Sequence, residues 1–174
     1  MRKVLGITVC SALLLTLSVV ACNRRGNVSM KANVENALDQ GGYKDVKVNE
    51  DRDKRVMTLG GKVRSADDKA RAEELAKGAA SGWVIANEIS IEPQGVERQA
   101  RAIESNLDGS IDKDYKAVLI AHRMDHIRYD VKNGVITLKG NVDTPQQRTE
   151  AEKLAAKTPN VSQVVNELQV KDRR

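Results

Sequence analysis

The segment Val56-Met57-Thr58-Leu59-Gly60-Gly61-Lys62-Val63 returns seventy-nine residues later as Val135-Ile136-Thr137-Leu138-Lys139-Gly140-Asn141-Val142. The register holds without a gap from Val56 to Ile91 against Val135 to Val170. Eleven of the thirty-six pairs are identical, among them Val56/Val135, Gly61/Gly140, Glu73/Glu152, Asn87/Asn166 and Glu88/Glu167. A chain of 174 residues built this way divides into two units of roughly 70 residues, near the lower size limit for an independent core. Phe is absent and Trp occurs once, so Val, Ile, Leu, Met and Ala must fill the interior. Small solid cores are expected, not a large ligand-enclosing cavity.

Periodicity orders the elements within each unit. Met30, Val34, Ala37 and Leu38 recur at helical spacing, with Ser29 placed to cap and Gly41-Gly42 to stop the helix. Val46 and Val48 alternate with polar residues, a polar turn lies around Arg52 to Lys54, and Met57, Leu59, Gly61 and Val63 share one strand face, which predicts a hairpin. In the second unit the turn reads Asn133-Gly134, a pair that accepts positive φ at both corners. Gly61 and Gly140 occupy the apolar face of their strands, which predicts close passage of a helix over the backbone. Ala66 to Ala79 and Pro145 to Thr158 supply alanine-rich helices suited to that approach. Ile85, Ile89 and Ile91, matched by Val164, Leu168 and Val170, form the last strand. Between the copies, Val96, Ala100, Ile103 and Leu107 mark one face of an additional helix. Asp108-Gly109-Ser110 is expected to end it, and it either bridges the units or packs on the second.

This order, the pattern Val-x-x-Leu-x-Gly-x-Val before an Ala/Glu-rich helix, and Asn160-Val161-x-x-Val164-x-Asn166-x-Leu168 resemble the BON domain of bacterial envelope proteins. The resemblance implies an α+β fold of two tandem αββαβ domains, each a three-stranded sheet packed with two helices. They span 28–92 and 112–171, joined by a linker, 93–111, that holds the additional amphipathic helix. In the first copy, Gly82-Trp83-Val84-Ile85 departs from the usual small-residue-Val turn. Such proteins are regarded as envelope-maintenance or osmotic-stress components, and some bind anionic phospholipid through a BON helix.

Residues 1–21 carry a short cationic start, Arg2-Lys3, and an apolar run from Val4 to Val20, the pattern of a secretory signal. With Ala21-Cys22 at its end it resembles a bacterial lipoprotein signal, which implies cleavage before Cys22 and lipidation there. A plain signal cut elsewhere and an uncleaved anchor are the other readings. Residues 22–27 then form a tether, in which Arg24 and Arg25 are either membrane-attracted cations, each contributing ~1 kcal/mol, or parts of a soluble spacer. Asn23 is not the aspartate that favours inner-membrane retention in familiar Gram-negative lipoproteins, which points to the outer membrane. Cleavage removes Arg2 and Lys3, lowering the formal charge from +5 to +3 and weakening any nucleic-acid reading. It also leaves no thiol for a disulfide, a metal or a nucleophile.

Four groups of residues carry potential chemistry. The helix from Asp114 to Met124 is apolar over more than one face, so Tyr115, Lys116, Leu119 and Arg123 are membrane or partner contacts if that surplus is exposed, and core if the additional helix and the other repeat cover it. Trp83 aligns with Ser162 and is a contact residue if the register is strict, or fills the space of Val161 if the register shifts by one. His122 and His126 would share a helix face, but the helix must end near Met124 to begin a strand, so no metal pair is expected. The repeated Asn87-Glu88 and Asn166-Glu167 are assigned to strand edges or hairpin backbone. No nucleophile with a base, phosphate loop or Cys/His cluster is present, so neither catalysis nor a cofactor is expected. The expected function is a non-enzymatic, lipid-anchored envelope protein docking on anionic phospholipid. The alternative is an adaptor or chaperone-like module holding an envelope protein. Oligomeric state is not set by the sequence.

Overall fold

A computed structural model describes residues 29–171. The signal region, Cys22, Arg24 and Arg25 lie outside the described residues. The first unit consists of α1 (Lys31–Gln40), β1 (Val46–Asp51), β2 (Val56–Val63), α2 (Ala66–Ala79), β3 (Val84–Asn87) and β4 (Ser90–Ile91). Next comes α3 (Glu97–Ala121). The second unit continues with β5 (Arg128–Lys132), β6 (Val135–Lys139), β7 (Asn141–Val142), α4 (Pro145–Lys157), β8 (Gln163–Asn166) and β9 (Gln169–Val170). The fold is α+β with two tandem αββαβ units.

Each sheet places its second strand centrally, antiparallel to the first and parallel to the third. The parallel step requires a crossover, which α2 and α4 provide. Both crossover helices start at a hydroxyl cap: Ser65 accepts from the Asp68 amide and Thr144 from the Gln147 amide, each at 3.1 Å. Pro145 occupies the first helical turn. The repeat offset survives in the pairing, since Val56 lies opposite Val84 as Val135 lies opposite Gln163. Val34, Leu38, Met57, Leu59, Ala72, Ala76 and Ile85 form the first core. Ile111, Tyr115, Leu119, Ile136, Leu138, Ala151 and Ala155 form the second. Asn133 and Gly134 take φ of 48° and 80°, as the hairpin turn demands.

The structure corrects three local expectations. Ser29 does not cap α1; its hydroxyl donates to Glu50 at 2.8 Å, and the same carboxylate accepts from the Met30 amide at 2.7 Å. Gly61 and Gly140 are not set by a crossing helix. Their φ values are 95° and 104°, and a Cβ at Gly61 would stand 2.1 Å from the Asp45 carbonyl oxygen beside β1. The strands bend there, which is why β7, β4 and β9 are short continuations past the bend. Asp108-Gly109-Ser110 does not end a helix, because α3 runs unbroken through it. The Asp108 carboxylate instead accepts from the Asn133 and Gly134 amides at 2.8 and 2.9 Å, holding the second hairpin from the side. The additional helix and the first helix of the second unit are therefore one 25-residue element, about 37 Å long.

The outer sheet faces of the two units meet. Val56 and Ala86 from one unit and Val135 and Val165 from the other form a small buried cluster. Around it the contacts are reciprocal. Lys54 pairs with Glu167 at 2.6 Å, and Lys132 pairs with Glu88 at 3.3 Å, so each hairpin reaches the repeated glutamate of the other unit. Gln163 bridges the third strands, accepting from the Asn87 amide at 3.0 Å and donating to the Ile85 carbonyl at 2.6 Å.

Candidate functional site

Helix α3 belongs to both units, and its faces differ in character. In its second half, Ile111, Tyr115 and Leu119 recur every four residues and are buried. Tyr115 and Leu119 are therefore core residues and not contact residues, which corrects the expectation. The reason is that the helix packs on the second sheet beside α4: the Tyr115 hydroxyl donates to the Ala151 carbonyl at 3.1 Å, and its ring meets that of Tyr129 edge-on at 4.8 Å. Burial raises the Tyr115 phenol well above its ordinary value, with Tyr129 adding to the shift.

Lys116 and Arg123 are on the surface as expected. The structure adds Lys113 and Ile120 to them. Ile120 is 58% exposed, an unusual position for a large aliphatic side chain. Lys113, Lys116 and Arg123 have no ion-pair partner among the described residues. Helix α3 stops at Ala121, earlier than Met124. Met124 turns back so that its amide donates to Leu119 O at 2.8 Å, with Arg123 at φ 56° forming the corner. That corner carries the Arg123 cation just beyond Ile120. Asp112 and Asp114 flank the patch and are exposed, and Asp112 also accepts the Tyr129 hydroxyl at its carbonyl. Ile120 and Lys113 become legible once α3 is drawn as one helix, because three- and four-residue steps from Ile103 reach both.

The first half of α3 has the opposite arrangement to an ordinary surface helix. Its inward side is charged. Glu104 accepts from the Ser90 hydroxyl and, at 2.8 Å, from the Ile91 amide; Arg101 pairs with Glu92 at 2.6 Å; Asp108 holds the second hairpin. Lys69 lies beneath this side, donating to the Asn133 carbonyl at 3.4 Å, and burial lowers its pKa against the pull of Glu104, Glu73 and Asp108. The helix bridges the units as one reading expected, but by its polar side. The predicted apolar face is left outward, with Val96 46%, Ile103 66% and Leu107 37% exposed.

Trp83 is half-buried and packs against the first core, as Val161 packs against the second. The strands keep the strict register, and the one-residue shift is confined to the turn: the Trp83 amide donates to Ala80 and the Val161 amide to Thr158. His122 caps the end of α3 and His126 lies beyond it, both exposed. No cluster of three His, Cys, Asp or Glu able to hold a metal occurs among the described residues. An open groove of about 700 Å³ at the far end of the first unit is lined by Tyr43, Lys44, Lys62, Arg64, Glu92 and Glu97, a mixture of both charges. No helix among the described residues is long and apolar enough to cross a membrane.

The repeated Asn-Glu pairs have two separate tasks. Asn87 donates to Glu73 at 2.9 Å and to the Lys69 carbonyl at 3.1 Å, and Asn166 repeats this with Glu152 at 2.8 Å and the Arg148 carbonyl at 3.1 Å. Each asparagine ties its third strand to its crossover helix, whereas the following glutamate reaches the other unit.

The chain is similar to Osmotically-inducible protein Y of Escherichia coli (strain K12), 27% identical over 157 residues that cover 86% of this chain and 77% of that protein. Two structures of CdsD, a structural protein of the type III secretion system of Chlamydia trachomatis, align at 13% and 14% identity with TM-scores of 0.36 and 0.35. Those alignments cover 84% and 83% of this chain, and 94% and 98% of the two structures. The family model for the BON domain matches twice, at residues 28–93 and 100–172, one match for each αββαβ unit. The chain is a member of the BON domain family with two copies of the domain in tandem.

Proposed function

We propose that this chain is a non-enzymatic, lipid-anchored protein of the bacterial envelope that docks on anionic phospholipid through the second half of α3. One observation carries the proposal: Ile120 is 58% exposed beside Lys113, Lys116 and Arg123, three cations without ion-pair partners among the described residues. An aliphatic side chain ringed by free cations fits the boundary between lipid headgroups and acyl chains, where the apolar group inserts and the charges remain among phosphates. The similarity to a protein named as osmotically inducible supports a role in osmotic stress, and support of envelope integrity is part of the same proposal. Cys22 is the proposed site of lipidation, with Arg24 and Arg25 in the tether and the outer membrane as the anchoring surface.

The test is co-flotation with liposomes of the chain from residue 22 onward carrying Cys22→Ser, which removes the anchor and retains every described residue. Salt-sensitive binding to vesicles with phosphatidylglycerol, absent with phosphatidylcholine alone and lost in Lys116→Glu/Arg123→Glu, is the expected result. No binding to either vesicle refutes lipid docking and favours an envelope protein as the partner.

A further inference from the structure

The first half of α3 carries charge inward and apolar side chains outward, the reverse of an ordinary surface helix. The apolar side of an amphipathic helix ordinarily turns toward the protein, because removal from water is its main source of stabilisation. Here Val96, Ile103 and Leu107 stay in solvent while Glu104 and Asp108 are turned in. The outward side of the whole helix can be followed in three- and four-residue steps: Ile103, Asn106, Ser110, Lys113, Ala117, Ile120. The line winds about 100° round the helix between the two isoleucines, and the exposed Asp114, three turns from Ile103, lies at its edge. Between the two isoleucines, Asn106, Ser110 and Ala117 are short and would let the helix axis come close to a flat surface. Arg98, like Lys113 and Lys116, is exposed without an ion-pair partner among the described residues.

From this we infer that α3 lies lengthwise along an anionic bilayer, with Ile103 as a second insertion point about 25 Å from Ile120. The inference rests on the docking reading above and extends it from one end of the helix to its full length. The occupant is a bilayer because the line joins two exposed isoleucines through short side chains and the cation Lys113, and continues into the cationic patch around Ile120. Two insertion points on a rigid helix fix the orientation of the protein on the membrane, which a single point does not. The reciprocal seam and the Glu104 and Asp108 contacts would hold both units in a set attitude above the surface.

The experiment uses the chain from residue 22 with Cys22→Ser, which contains no other thiol. Ile103→Cys and Ile120→Cys are made separately, both at exposed positions, and labelled with an environment-sensitive fluorophore. Phosphatidylcholine vesicles with or without phosphatidylglycerol are then added. Blue shifts at both positions with phosphatidylglycerol, and an about tenfold weaker partition for unlabelled Ile103→Asp, support the inference. A shift at Ile120 alone, with Ile103→Asp binding normally, overturns the inference and leaves the docking reading intact. A blue shift at Ile103 that grows with protein concentration without vesicles assigns the stripe to a second copy and overturns it also. No binding by any form refutes both.

Discussion

Leu119 and Ile120 are adjacent in sequence and opposed in environment, so substituting them separates folding from docking. Leu119 is 2% exposed within the second core. Leu119→Ala removes three buried carbons and leaves a cavity between α3 and the sheet, at a cost of about 2–5 kcal/mol. For a unit of this size that lowers the melting temperature by roughly 10–40 °C. Ile120 is 58% exposed, so Ile120→Glu forfeits less than half of a burial worth about 1.5–3 kcal/mol. It also gains slightly in helix propensity, and a net loss below about 1 kcal/mol is expected. Thermal denaturation followed by circular dichroism measures both, and co-flotation with phosphatidylglycerol vesicles measures binding. Leu119→Ala should melt early yet bind vesicles at temperatures where it is folded, whereas Ile120→Glu should melt normally and fail to bind. An Ile120→Glu protein as unstable as Leu119→Ala would refute the assignment of faces. So would a fully folded Leu119→Ala protein that has lost binding.

Three further outcomes follow from the backbone and the phenols. Gly61→Ala should destabilise by about 2–3 kcal/mol or more, because φ is 95° and the new Cβ would meet a backbone oxygen. Gly109→Ala, in an open position within α3, should stabilise by about 1 kcal/mol; urea denaturation checks both signs. Tyr115 and Tyr129 have raised folded-state values, chiefly through burial, with Tyr129 pushed up to about 12. Their contribution to stability is therefore complete below the unfolded value of about 10 and is lost as pH rises through the folded values. Phenolate absorbance and loss of circular dichroism should rise together above pH ~10, and ionisation of both phenols in a still-folded protein would contradict the burial.

The repeat and its periodicities made the architecture legible because each strand and helix shows its own pattern over a short window. The offset found by alignment is the same offset found in the strand pairing. What the sequence did not disclose is set by contacts between distant segments. Gly109 resembles a helix end locally, and only the amides of Asn133 and Gly134, which need an acceptor, keep Asp108 within a continuous α3. With the helix divided in two, Tyr115 and Leu119 had no fixed azimuth and passed for surplus surface. Lys116 and Arg123 were legible because long cations rarely enter a small core. Ile103 was legible as part of an apolar face, but not the side to which that face would turn.

The inverted half of α3 follows from how the two copies meet. A seam formed by Val56, Ala86, Val135 and Val165 buries few apolar carbons, and neither repeated valine is distinguishable from an outer-face residue when its own unit is considered alone. The pairing of equivalent surfaces explains why Val56/Val135 and Glu88/Glu167 are both among the identities, since each member serves the opposite unit. Such a seam leaves backbone amides near its margin without sheet partners: Ile91 on β4, and Asn133 and Gly134 in the hairpin. Donors of that kind are costly to leave unpaired in a partly buried place and favour carboxylate acceptors. Glu104 and Asp108, four residues apart on one helical side, satisfy all three. That fixes the azimuth of α3, and the azimuth in turn points Ile103 away from the protein. The exposed stripe is thus a consequence of the same contacts that hold the units together, so any surface that covers it acts on the tandem pair as one body.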